Sequence, residues 1–133
     1  MRYTFKAYER LKREQDIDTL FHTGKAFSVF PIKFIYLPQP RKAELSPVRV
    51  GFSVPKKKFR HAVQRNRMKR LMRESWRLHK HSLYTVIAPQ QHLLLFLIFT
   101  DNTITDYEVV HTAMVKGIER LITIASSLPD NNA

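Results

Sequence analysis

The side chains able to do chemistry in this chain fall into three groups: six histidines, a scatter of carboxylates, and a dense run of Lys and Arg. The histidines are His22, His61, His79, His81, His92 and His111; no two stand four apart and none sits in an HExxH arrangement. A general-base role for His79 or His81 stays open, with nothing to single either out. A metal-dependent nuclease needs two or more carboxylates converging on divalent ions. Asp16 and Asp18 would lie about 200° apart on a helix and do not converge. Asp101, Asp106 and Glu108 surround a turn and are better read as caps for the helix behind it. With no cysteine there is neither a thiol nucleophile nor a thiolate metal site, and three glycines make no phosphate-cradling loop. The inventory describes a binder rather than a self-sufficient catalyst.

The third group is concentrated. The formal net charge is +12, and residues 56–80 alone carry a net +10, with Glu74 as their single acid. A charge gathered into one short segment points to a polyanion, with nucleic acid ahead of an anionic membrane surface because the segment lacks a broad apolar face. At 100° per residue Met68, Leu71, Met72 and Trp76 fall on one side of a helix, and Asn66, Lys69, Arg70, Arg73, Arg77 and Lys80 on the other. A merely solvated face would intersperse acids for i, i+4 pairing. Arg outnumbers Lys along it, and the planar guanidinium suits bidentate phosphate contact and base stacking. Asn66 could donate to a phosphate or a 2′-hydroxyl, or simply cap the first turn. Phe21, Phe34 and Tyr36 could stack on unpaired bases, although aromatics at helix or strand spacing usually belong to a core. Tyr36 is the best exception, since its hydroxyl favours a wet edge.

These groups must be held by a small domain. A length of 133 residues with 44% apolar side chains is enough for one core and short of two. Glu14 to Thr23 reads as a short helix, with Ile17, Leu20 and Phe21 on one face and Gly24 at its stop. Phe27–Leu37 reads as a strand and Val48–Val54 as a second, half-buried one, the two expected to pair as an antiparallel hairpin. The basic helix should run from Ala62 to about Lys80. Leu83–Ala88 is apolar but too short to classify, and Leu93–Phe99 reads as a strand covered on both faces. Thr105 and Glu108 have capping-box spacing ahead of a helix whose stripe includes Val110, Met114, Ile118 and Leu121. The expected fold is α+β, a two-layer sandwich of a small mixed sheet with three helices. Residues 1–133 should form one domain, ordered over about 5–125, with a loose tail at 126–133. The apolar run Leu93–Phe99 is far below the ~20 residues that cross a bilayer, and the N-terminus has no signal-peptide core, so a cytoplasmic location is expected.

The string Lys56-Lys57, Ala62, Arg65-Asn66-Arg67, Lys69-Arg70, Arg73-Glu74 resembles the signature of the protein subunit of bacterial ribonuclease P. Flanking segments extend the likeness over about residues 5–125: ERLKREQDIDTLFHTGKAF is similar to the family's opening helix, KFIYLP to its first aromatic strand and VRVGFSVPKK to the strand feeding the motif. The resemblance implies a left-handed crossover between two parallel strands, against a rule that ~98% of such connections obey. It implies that a catalytic RNA subunit removes the 5′ leader from precursor tRNA using Mg²⁺ bound mainly by RNA and substrate, while the protein steadies that RNA and holds the leader. Arg65, Asn66, Arg67, Lys69, Arg70 and Arg73 would then contact the RNA subunit, and Phe21, Tyr36 and Lys57 would line the leader cleft. Ile17 replaces an aromatic found in many members, and Lys58-Phe59-Arg60-His61 lacks the glycine of shorter links. The alternative is a basic ribosome-associated protein with no substrate cleft. A DNA-binding regulator is disfavoured because the segment before Ala62 alternates as a strand rather than forming the first helix of a helix-turn-helix.

Overall fold

The computed structural model describes residues 4–57 and 59–128. Helix α1 spans Glu14–Thr23, as its periodicity predicts, and buries Leu20. Its stop at Gly24 depends on space: a Cβ there would lie 2.4 Å from the Leu20 carbonyl oxygen and 2.9 Å from that of Tyr36. The strand expected over Phe27–Leu37 is two strands, β1 (Lys25–Val29) and β2 (Ile32–Pro40), joined by a turn at Phe30–Pro31, whose peptide bond is cis. Pro31 has no N–H to give to a ladder, and the chain turns there between the two strands. Strand β3 is Val48–Ser53, helix α2 Ala62–His79, a short helix α3 His81–Tyr84, strand β4 Gln91–Phe99 and helix α4 Tyr107–Ser126. The cap of α4 is Asp106 rather than Thr105; its carboxylate accepts from the Val109 N–H at 3.2 Å. The helix runs through Ser126, and residues 129–133 of the expected tail lie outside the described residues.

The sheet order is β1-β2-β4-β3. The hairpin expected between β2 and β3 does not form: β4 lies between them, antiparallel to β2 and parallel to β3. The apolar character of β4 explains this, because a strand with no polar face is stable only in the middle of a covered sheet. The parallel pair is connected through α2 and α3.

Both faces of the sheet carry helices. On one, Phe34, Val50, Leu95 and Leu97 pack with Met68, Met72 and Trp76 of α2 and with Met114, Ile118 and Leu121 of α4. The approach of α4 is close enough that a Cβ on Gly117 would meet the Phe34 ring at 2.0 Å. On the other face, Leu20 of α1 and Leu11 cover Ile35 and Leu94 in a smaller cluster flanked by Ile17, Leu37, Phe96 and Ile98. Helix α1 is thus a partial third layer over the middle of the sheet. Arg49 ties it down, its guanidinium 3.5 Å from Asp16 on α1 and 3.9 Å from Glu44.

Candidate nucleic-acid interface

Helix α2 divides as the amphipathic spacing requires. Met68, Met72, Ser75 and Trp76 are buried, Asn66, Arg67 and Arg70 are exposed, and Lys69 and Arg73 are half-buried at the flank. Arg70 and Arg67 face solvent along the outer side, where cations spread over one surface attract a phosphate backbone. Asn66 is not a cap: the N-cap is His61, which makes no side-chain cap bond, and Asn66 lies in the second turn. Arg65 is partly committed inside the protein. Its guanidinium donates to the carbonyls of Phe59 at 2.7 Å and Arg60 at 2.8 Å, fastening the basic connection to the start of the helix. Arg77 pairs with Glu74, the one acid of the segment, which holds its proton still more firmly than an ordinary guanidinium does.

Lys80 departs from the sequence reading. Helical angle alone puts it on the basic side, but it is 2% exposed and its ammonium donates to the Glu9 carboxylate and the Thr4 carbonyl. Angle fixes azimuth on a helix; it cannot show that the N-terminal segment folds back over the last turn. The carboxyl of Glu9 would be raised by burial, but hydrogen bonds from Lys80, the Lys6 N–H and the Tyr84 hydroxyl outweigh that and hold it below its ordinary value.

The proposed leader residues are not brought together. Phe21 is 50% exposed on α1, its ring edge-on to Phe96 of β4 at 5.2 Å. Tyr36 points through the opposite face of the sheet, edge-on to Phe27 at 6.0 Å in the cluster that α2 and α4 cover. Half-buried, it borders a cavity of about 280 Å³ closed by Leu37, Pro38, Ile124 and Leu128. A two-residue period sends Tyr36 one way and Ile35 and Leu37 the other, so one groove cannot take both aromatics. The residues that share the α1 face with Phe21 are Phe96 and Ile98, with exposed Lys33 beside them by register. Sequence reading missed these three; Phe96 and Ile98 were absorbed into an apolar run with no distinction of faces. Lys57 is exposed in the turn four residues beyond Ser53, whose register partner is Ile98.

Among the described residues no three or more His, Cys, Asp or Glu side chains are grouped to hold a metal ion. His79 and His111, distant in sequence, meet across α2 and α4 with ring nitrogens 3.1 Å apart, and burial and the second ring both push the His79 imidazolium down. His92, 1% exposed, accepts from the Gln39 side-chain amide at 3.1 Å, and burial brings its pKa down to about 4.

Comparison with known proteins places this geometry. The family model described as ribonuclease P matches residues 5–121. A Porphyromonas gingivalis protein named ribonuclease P protein component is 41% identical over 126 residues, covering 92% of this chain and 88% of its own length. A Chlorobium phaeobacteroides protein of the same name is 40% identical over 85 residues, covering 62% of this chain and 58% of its own. In structure, the Staphylococcus aureus RNase P protein matches with a TM-score of 0.65 at 22% identity, over 93% of this chain and all of its own. The Thermotoga maritima RNase P protein matches with a TM-score of 0.56 at 23% identity, over 92% of this chain and 99% of its own. The structural likenesses fix the fold; the sequence likeness runs from the N-terminal segment through α2 and β4 into α4, and the chain belongs to the ribonuclease P protein family, the protein subunit of a tRNA-processing endoribonuclease.

Proposed function

We propose that this subunit is the RNA-binding and non-catalytic half of the enzyme, and that a catalytic RNA subunit cuts the 5′ leader from precursor tRNA. The observation that carries the reading is the outer face of α2, where Asn66, Arg67 and Arg70 stand exposed with Lys69 and Arg73 at their flank and Glu74 is the sole acid. Such a face binds phosphate without supplying groups for phosphodiester hydrolysis. Mg²⁺, held by RNA and substrate, supplies Lewis-acid stabilisation of charge at the scissile phosphate. The protein's own part is to neutralise backbone charge so that RNA segments approach one another, which lowers the Mg²⁺ concentration the RNA needs. Arg65 contributes indirectly, by fixing the connection that precedes α2.

On the opposite side of the sheet, Phe21, Phe96 and Ile98 with Lys33 offer an apolar strip beside a cation, chemistry suited to unpaired bases and their backbone. This supports the α1 face as the site of the single-stranded leader, with Phe21 as its stacking ring and Lys57 at its far end. No helix among the described residues is long and apolar enough to cross a membrane, and we assign the subunit to the cytoplasm with its RNA partners. The test is cleavage of a precursor-tRNA transcript by RNA subunit alone, protein alone and both, at Mg²⁺ too low for RNA alone. Cleavage by the combination only is the expected outcome; robust cleavage by RNA-free protein that survives repurification would refute the assignment.

A further inference from the structure

The N-terminal segment ahead of α1 carries its own structure. After a 3-10 turn at Ala7–Glu9, Arg10 forms a parallel bridge with Val50, and the Leu11 N–H donates to the Val50 carbonyl at 3.0 Å. The segment therefore runs along the outer edge of β3 as a short extra strand, with strand alternation. Leu11 goes into the α1-side cluster, while Arg10 and Lys12 go the other way, towards α2. There they meet Lys69 and Arg73 across a groove of about 210 Å³ floored by Gly51 and Phe52. Among the described residues none of these four cations has an ion-pair partner, and no acid lines the groove. Arg10 is held in place by the Phe5 ring, 5.3 Å from its guanidinium carbon, and Phe5 in turn packs edge-on against Phe52 at 5.9 Å.

What keeps four like charges around one groove is the buried junction just upstream. Glu9, 4% exposed, receives the Lys80 ammonium, the Tyr84 hydroxyl at 2.7 Å and the Lys6 N–H at 2.6 Å, while Lys80 also holds the Thr4 carbonyl. This junction bolts both ends of the turn to the C-terminal end of α2 and to α3. We propose that Arg10, Lys12, Lys69 and Arg73 form a second phosphate-binding site, a groove for one RNA strand at the edge of β3, and that Glu9 and Lys80 are its positioning residues. The inference deepens the RNA-binding reading above and rests on it. Lys69 and Arg73 are four residues apart, a rise of about 6 Å, close to the spacing of consecutive phosphates in a strand. Arg10 and Lys12 supply the facing wall, so backbone phosphates entering the groove are met from two sides, which the convex outer face of α2 cannot do. The strand belongs either to the RNA subunit or to precursor tRNA, and separate assays distinguish them.

The test uses the full chain in two titrations over a range of salt: protein against the RNA subunit transcript, and assembled holoenzyme against precursor tRNA. Arg10→Ala with Lys12→Ala removes two phosphate contacts, so the salt slope should flatten by about 1.4–1.8 and affinity at 0.15 M salt fall about twenty-fold in one titration. A fall in the first assigns the groove to the RNA subunit, and a fall in the second assigns it to the substrate. The paired variant Glu9→Gln with Lys80→Met, which leaves no lone buried charge, should reproduce that loss although neither residue reaches RNA. Combined with Arg10→Ala and Lys12→Ala it should add nothing. Arg67→Ala with Arg70→Ala, on the outer face, serves as the control for the parent reading. If the control pair weakens binding while the Arg10 and Lys12 pair changes neither titration, the groove is refuted and the outer face stands. If neither pair matters, the RNA-binding reading itself falls. A folded Glu9 and Lys80 variant that binds as wild type, or whose loss persists undiminished without Arg10 and Lys12, overturns the positioning role.

Discussion

Replacing Lys80 by Met tests whether the Glu9–Lys80 junction is a true interior ion pair. Met has nearly the length of Lys and fills the same space, so the change removes charge and hydrogen bonds with little loss of packing. It leaves Glu9 buried beside Tyr84 with no cation. An interior pair broken from one side typically loses about 3–5 kcal/mol, because the remaining charge is stranded in low dielectric. At roughly 3–5 °C per kcal/mol for a domain of this size, the melting temperature at pH 7 should drop by about 10–20 °C. The pH dependence carries the sharper signature. In the wild type the Glu9 carboxyl sits below its ordinary value, so its stabilisation is full above the unfolded pKa of about 4.3 and disappears as pH falls through the folded value. Without Lys80, burial dominates and raises the folded pKa above the unfolded one, so acidification relieves the penalty. The gap between the two proteins should therefore narrow between pH 7 and about pH 4, measured by thermal or urea unfolding followed by circular dichroism. A loss below about 1 kcal/mol at pH 7, or a gap independent of pH, would mean that the pair is solvated and that the N-terminal segment is held by other contacts.

Two further outcomes follow from the site and the core. Phe21→Leu should lower the ratio of precursor to mature tRNA affinity of the holoenzyme about five-fold or more, since stacking on an unpaired base is worth about 1–3 kcal/mol; Tyr36→Leu, on the far face of the sheet, should leave that ratio fixed, and a drop with Tyr36→Leu alone would reverse the assignment of faces. His92, whose folded pKa is brought down to about 4, is neutral in the fold, so its burial should cost stability as pH falls from about 6.5 towards 4, by at most about 3 kcal/mol. Urea unfolding of His92→Gln should show a shallower acid slope over that window, and an unchanged slope would assign the acid loss to other groups.

The elements that sequence reading recovered are those whose evidence is local. Ile17 and Leu20 mark α1, the alternation Val48, Val50, Phe52 marks β3, and Met68, Met72 and Trp76 mark the buried side of α2, all through side-chain period alone. The basic face was legible for the same reason. What escaped depends on contacts between distant segments. Parity shows that Tyr36 and Ile35 point oppositely, but which face α1 covers is decided by where Leu20 packs. The insertion of β4 between β2 and β3 is invisible to any local window, since even the nearest partners on β2 and β4, Pro40 and Gln91, stand fifty-one positions apart. Lys80 looked like its neighbours because the carboxylate that buries it lies seventy-one positions earlier.

Placing the two surfaces proposed to meet RNA on opposite sides of one sheet has a mechanical consequence. The strands between them are packed on both faces, with Phe34, Leu95 and Leu97 against α2 and α4, and Ile35 and Leu94 against α1. Interiors packed at crystal-like density transmit displacement rather than absorb it. A leader seated beside Phe21 and an RNA helix seated on Arg67 and Arg70 would thus be held at a distance set by the sheet and not by flexible loops. Rigidity of this kind suits the enzyme proposed above, in which one RNA cuts another, because small errors in placing the scissile bond are costly in rate. Arg49, bridging Asp16 of α1 and Glu44, belongs to this frame, since it fixes α1 to β3. The edge of β3 completes it, where the N-terminal segment covers what would be an open strand and brings Arg10 and Lys12 up to α2.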